Sequence, residues 1–367
     1  MKRVCVVCDR VSNDGNLWCQ EPDCPAEDKP HIFGYGDFVG DAKVLRLLRV
    51  LRASSFYEAE RSGRPILLKV AHPARENAVR REAEALRQLQ GGKNRAAHPM
   101  LPTLLPAYEQ STVNAHPYGK AVVLGEERYY EVFQPIEGEF LRDLLTRNPQ
   151  PWYEHAVWLT ISLADVIALL NLRMRRLHLE LSPDVVLVRT DVQGIPRPVL
   201  LDLGLLIQET KPEHLDWLHY HGQPAYTAPE LTYTTAEMMV QCLPGSPASD
   251  VYGLGVLLYE MLAGSPAHEF RQRRDPVVRE AVRAHRPPAL SRADLPDAVH
   301  TVIDRAISKS PKDRYPDVLA FAKDLRRMFG EVPAEKSRRP GSQRAVVAAA
   351  AGAGVLSLLI LIAALLG

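Results

Sequence analysis

The sequence predicts an α+β protein whose globular part has two lobes, a small β-rich first half and a helical second half. Three observations predict it. Between Lys43 and Ala71 short apolar runs alternate with turns at strand length. From Glu76 onward, longer stretches take up helical spacing. Both flanks of this body have a composition of their own, cysteine-rich before it and uncharged and apolar after it.

Of the 367 residues, 46% are hydrophobic and 24% charged, a globular composition sufficient for one large domain or two moderate ones with appendages. Lys and Arg number 45 against 44 Asp and Glu, a net charge of +1. No overall field draws in nucleic acid, and nucleic acid is not an expected partner.

Four of the five cysteines, Cys5, Cys8, Cys19 and Cys24, fall within the first 24 residues. No apolar stretch follows Met1-Lys2-Arg3-Val4-Cys5, so a secretory signal is not expected and a reducing compartment is. There, clustered cysteines bind metal more often than they form disulfides. The Cys5/Cys8 and Cys19/Cys24 pairs each turn two thiolates toward one tetrahedral ion, and Asn13-Asp14-Gly15-Asn16 between them is a turn signal. Residues 1–30 are read as resembling a zinc ribbon with structural Zn2+, although the second pair has a wider spacing than ribbons usually have. About 25 residues have no core without such a metal. Residues 31–42, including Gly34-Tyr35-Gly36-Asp37-Phe38-Val39-Gly40, are read as a linker.

Within the body, Val44–Leu51, Phe56–Ala59 and Pro65–Val70 read as antiparallel strands separated by Ala53-Ser54-Ser55 and Arg61-Ser62-Gly63-Arg64. Glu76–Gln90 reads as a helix stopped by Gly91-Gly92, Tyr130–Phe133 as a strand and Trp158–Arg176 as a long apolar-faced helix.

An ordered series of motifs over about residues 43–329 resembles the protein kinases. Ile66-Leu67-Leu68-Lys69 is similar to the strand whose lysine holds nucleotide phosphates, and Arg81-Glu82-Ala83 to the helix whose glutamate pairs with that lysine. His98-Pro99-Met100-Leu101 and Glu137-Gly138 match connecting segments. The resemblance makes Phe133 the gatekeeper and places the hinge from Gln134 to Ile136. Leu200-Leu201-Asp202-Leu203-Gly204 resembles the metal-binding segment, and Ala228-Pro229-Glu230 closes the activation segment. Asp250, in Ser249-Asp250-Val251-Tyr252-Gly253-Leu254-Gly255, is expected to brace the catalytic loop, and Arg314 to pair with Glu230. The implied organisation is an N-lobe over 43–135 and a C-lobe over 136–330.

The resemblance also exposes what is missing. Phosphoryl transfer needs positioning and charge neutralisation. The catalytic loop His178-Leu179-Glu180-Leu181-Ser182-Pro183-Asp184-Val185 keeps only the histidine and proline of the family pattern. Glu180 stands at the base position with one methylene too many, a displacement of ~1 Å that costs on the order of 10²-fold. Ser182 replaces a lysine donor, a loss of about 10²–10³-fold. Val185 replaces a metal-ligating asparagine and offers no lone pair. Arg52-Ala53-Ser54-Ser55-Phe56 stands where glycines admit phosphate. Leu179 replaces the arginine that reads activation-loop phosphorylation, and no Ser or Thr lies between Lys211 and Tyr226. Gln223 replaces a threonine that pairs with the missing lysine. His219 and His221 are read as solvated loop residues.

What remains is Lys69, Glu82 and Asp202, which leaves two readings open: a nucleotide site for ATP and Mg2+, or a structural ion pair with Asp202 capping a turn. The expected function is a membrane-anchored, kinase-like signalling or scaffold protein, a pseudokinase with protein partners. The alternatives are an atypical active Ser/Thr kinase using Glu180 and Asp202, and a nucleic-acid-binding zinc ribbon. Residues 345–366 contain no charge and span about 33 Å as a helix, enough for a bilayer core. Lys336, Arg338, Arg339 and Arg344 precede this span in a basic linker over 331–344, which predicts a single C-terminal anchor with the bulk of the chain cytoplasmic. Ala348/Gly352 and Ala350/Gly354 are small residues four apart, suited to close packing of two such helices in a homodimer.

Overall fold

The structure, a computed structural model, describes residues 3–5, 11–12, 31–91, 98–123, 125–207, 222–233, 245–271 and 273–336. Cys8, Cys19, Cys24, His219, His221 and the apolar segment 345–366 with its small-residue pairs lie outside the described residues. The chain divides into two compact units, Met1–Arg189 with Pro196–Val332, and Thr190–Ile195 with Pro333–Gly367. In the second unit the Thr190–Ile195 turn closes on Asp191, whose Oδ1 accepts from the Gln193 and Ile195 N–H groups at 2.8 and 3.0 Å.

In the first unit, β1 (Arg3–Val4) and β2 (Val11–Ser12) pair antiparallel, and Cys5 is buried. A 7-stranded sheet follows, of β3 (Phe38–Val39), β4 (Ala42–Val50), β5 (Ser54–Arg61), β6 (Arg64–Ala71), β7 (Leu104–Leu105), β8 (Gly119–Val123) and β9 (Glu126–Phe133). Its order is β3-β4-β5-β6-β9-β7, with β8 also on β9. Central β6 is buried from Ile66 to Ala71 because both its faces are covered. Ile66, Leu68 and Val70 point into one apolar cluster with Tyr57, Tyr130 and Val132, while Leu67 points to the other face with Phe56 and Phe133. This is the period-2 alternation of a strand with two buried sides. On the second face lies α1 (Glu76–Gln90), whose buried residues Val79, Glu82, Ala83 and Leu86 recur at helical spacing.

Residues 31–42, expected as a linker, instead form the edge of this sheet. Phe38 and Val39 pair with Lys43 and Ala42, Ile32, Phe33 and Val39 are buried, and the Phe33 N–H donates to Tyr57 Oη at 3.3 Å. At Gly40 (φ +62°) a Cβ would lie 2.3 Å from Tyr130 Oη, so a glycine is required there. A strand of two residues is too short to carry a periodic signal.

The helical half begins with β10 (Glu139–Phe140) and α2 (Leu141–Arg147), then α3 (Tyr153–Leu169), which runs on as a π turn over Leu170–Met174. A small sheet of order β10-β11-β12 adds β11 (Val186–Thr190) and β12 (Pro196–Leu200). It is followed by α4 (Pro247–Ala263), α5 (Asp275–Ala284), α6 (Asp297–Ala306) and α7 (Val318–Phe329). Every residue of α4 from Ala248 to Leu262 is buried, and α3, α6 and α7 pack around it. Ser246 and Ser249 start α4 with a reciprocal capping box. Among the described residues, Tyr153–Met174 is a helix long and apolar enough to cross a membrane. It is the core helix of the lobe.

Candidate active site

Because side chains alternate along a strand, β5, β6 and β9 bring three residues into one row facing α1 and the space between the lobes. Phe56 pairs in register with Lys69, and Lys69 with Glu131. The Lys69 ammonium is ion-paired with Glu82 from α1 and lies 2.8 Å from Asp202 Oδ2, on the segment after β12. Lys69 and Glu82 are each 1% exposed and Glu131 is fully buried, with no hydrogen-bond partner for either carboxyl oxygen. The structure thus brings Lys69, Glu82 and Asp202 together, and adds a carboxyl group that sequence reasoning missed. The available signal was a lone charge in the apolar run Tyr130-Glu131-Val132-Phe133.

The charges of this cluster follow from burial and pairing. Burial alone would strip the Lys69 proton, but the Asp202, Glu82 and Glu131 carboxyls outweigh it and hold the pKa above the usual lysine range. Burial pushes Glu82 up to about 8 despite Lys69. Glu131 is raised well above the usual range by burial and by the Glu82 charge. Burial also acts upward on Asp202, yet Lys69 and the Gly204 N–H hold its pKa below the ordinary value.

The catalytic-loop region is braced from α4. Asp250 accepts from His178 N at 3.2 Å, Leu179 N at 2.8 Å and Asn171 Nδ2 at 3.0 Å, and so holds Leu179 at φ +64°. The His178 Nε2 atom lies 2.9 Å from the Asp202 carbonyl oxygen. Gly204 (φ +70°) leaves room for His178, whose carbonyl oxygen would lie 2.3 Å from a Cβ there. Glu230 is clamped by Arg314 at 2.7 and 2.8 Å, and Ser249 Oγ donates to it at 2.7 Å.

At the reaction positions the side chains are ill suited to chemistry. Glu180 is raised well above the carboxylate range, first by burial and then by the Asp202 charge, with Arg81 opposing. That shift disfavours the ionised form a general base needs. Ser182 and Val185 are each 5% exposed, and Val185 belongs to the apolar core. Both Asp202 oxygens are engaged, Oδ2 by Lys69 and Oδ1 by Gly204 N at 2.8 Å, and Val185 contributes no donor. Of the two metal-ligand positions, Asp202 alone therefore keeps a carboxylate. Among the described residues no group of three or more His, Cys, Asp or Glu could hold a metal ion. In the hinge, the Gln134 N–H donates to the Thr103 carbonyl at 2.9 Å, Gln134 is exposed and Ile136 packs on the core.

The turn between β4 and β5 is tied down. Leu51 N donates to Ser54 O, and Ala53 O accepts from His72 N, both at 2.8 Å. Arg52 reaches across to Asp275 Oδ1 at 2.8 Å and Gln223 at 3.1 Å. Arg49 pairs with Asp143, lies 3.6 Å from Asp184 and rests on the Phe140 ring, 4.9 Å from its centroid. Phe56 is fully buried, its ring 6.2 Å from Phe140 and 5.4 Å from the Lys69 nitrogen. A second network absent from the sequence reading centres on Arg142, which donates to Glu260 and to Tyr226 Oη at 2.7 Å and to Asp184 at 3.1 Å. Its partners stand 42, 84 and 118 residues away, beyond any local pattern.

No family model matches the chain. In sequence it is 30% identical over 195 residues to the serine/threonine-protein kinase PkaA of Streptomyces coelicolor, covering 53% of this chain and 33% of that protein. It is 28% identical over 290 residues to PknL of Mycobacterium tuberculosis, covering 76% of this chain and 63% of PknL. The chain therefore spans less than two thirds of these relatives. In structure it is similar to the PknI kinase domain of Mycobacterium tuberculosis, in a C20A_R136A double-mutant form, with TM-score 0.55, 19% identity and coverage of 82% of this chain and all of that one. The two-lobed fold and these relatives make the chain a protein-kinase-like protein, similar to the bacterial serine/threonine protein kinases.

Proposed function

We propose that the chain is a signalling or scaffold protein built on a kinase-like body, a pseudokinase that transfers phosphate poorly or not at all. The observation that carries this reading is the catalytic loop, where the buried Ser182 stands in place of a lysine donor and the core valine Val185 in place of a metal ligand, beside a Glu180 whose ionised form is disfavoured by burial and by the Asp202 charge. Residues 345–366 anchor it to a membrane with the kinase-like part on the cytoplasmic side. Cys5, Cys8, Cys19 and Cys24 bind structural zinc in a second docking module, and one equivalent of zinc in the purified chain, lost on replacing Cys8 and Cys19, tests that part. Protein partners, and a second copy through the terminal helix, follow from the same architecture.

A second reading, a slow Ser/Thr kinase using ATP and Mg2+, is favoured by the assembled Lys69–Glu82–Asp202 set and by the names of the relatives. Labelled ATP with magnesium separates the two. The pseudokinase reading expects incorporation into the chain or a generic protein substrate at the level of Asp202→Ala. Incorporation that Asp202→Ala abolishes overturns it.

A further inference from the structure

We propose that the cleft between the lobes is locked shut by the chain's own side chains, with Phe56 as a plug and Arg49 and Arg52 as latches, so that it excludes nucleotide. This goes beyond the pseudokinase reading, which holds whether or not nucleotide binds.

The plug rests on position. Phe56 stands beside Lys69 in the cross-strand row, fully buried although it faces the space between the lobes. Its ring meets Phe140, which pairs with Leu187 in the small sheet of the other lobe. One continuous apolar cluster therefore joins Phe56, Leu67 and Phe133 of the first lobe to Phe140 and Leu187 of the second. A flat base entering under β4 and β5 has to expel that ring from a packed core.

The latches rest on charge. Arg49, near the end of β4, and Arg52, in the turn that follows, reach different elements of the other lobe, Arg49 to Asp143 and Asp184 and Arg52 to Asp275. Two divergent ion pairs fix the turn more firmly than one. Its backbone is tied down as well, since Leu51 N donates to Ser54 O and Ala53 O accepts from His72 N. Nor does Lys69 lack an anion, because the Asp202 carboxylate lies 2.8 Å from it. Phosphate would have to displace Asp202.

The test uses the full chain in detergent and follows thermal unfolding with millimolar ATP, with and without magnesium. The lock predicts no shift for the wild type, and a rise of about 2 °C or more for Phe56→Val combined with Arg49→Gly and Arg52→Gly. A wild-type shift of that size overturns the lock, as does a folded triple variant that still ignores ATP. Should the triple variant not fold, Arg49→Gly with Arg52→Gly is read by hydrogen exchange. Amides 49–56 are expected to exchange about tenfold faster or more, and unchanged protection overturns the latches. ATP binding without phosphate incorporation removes the lock and leaves the pseudokinase reading intact; incorporation that depends on Asp202 removes that reading instead.

Discussion

At Glu131 a carboxyl group lies in the sheet interior with neither oxygen hydrogen-bonded, and its pKa is raised above the ordinary 4.5. Such a group binds its proton more tightly in the folded state than in the unfolded one. Its contribution is therefore complete below about pH 4.5 and is lost as pH rises toward the folded value; Glu82, raised to about 8, acts in the same direction. Glu131→Gln removes this group, so the variant is expected to gain on the wild type as pH rises above about 4.5, by up to ~1.4 kcal/mol per pH unit. Urea midpoints at several pH values check it, and parallel curves would contradict it. Gly204→Ala is expected to cost on the order of 2 kcal/mol, from positive φ and the contact with His178. Lys69, Glu82 and Asp202 were legible because each stands in a short local motif. Glu131 and Phe56 were not, because their meaning comes from cross-strand register, which one strand's sequence does not state.

Among the elements, α4 organises the helical lobe and holds the two acids that matter most for its order, Asp250 within the helix and Glu230 through Ser249. The Glu230–Arg314 pair has side chains at most 1% exposed, so removing one partner strands a buried charge. Arg314→Met is expected to cost ~3–5 kcal/mol, and Glu230→Gln combined with Arg314→Met distinctly less than the two single losses added together. Chemical denaturation of the four proteins checks the pair, and additive losses would contradict coupling. β4 to β6, α1, the strand before the hinge and the long apolar helix were all legible, since each is long enough to display its period. β3 and the start of α3 at Tyr153, five residues before the expected Trp158, were not. One is a two-residue edge and the other begins in a turn rich in aromatic and polar residues.

The whole molecule joins a kinase-like body, a catalytic loop with valine at one metal-ligand position and a base position whose ionised form is disfavoured, and a cleft closed by residues of both lobes. The membrane proposal belongs here: the full chain is expected in the membrane fraction after alkaline washing and a chain ending at Lys336 in the supernatant, while equal partition of both would contradict an anchor over 345–366. The two-lobed plan was legible because many weak motifs occur in one order. The closure of the cleft was not, since it depends on Arg49, Arg52 and Phe56 meeting residues up to 223 positions away. The most direct test of the central claim is the intact mass of the full chain after long incubation with ATP and magnesium, beside Asp202→Ala. A pseudokinase shows no phosphate adduct on either protein; an adduct on the wild type that is absent from Asp202→Ala would contradict that reading.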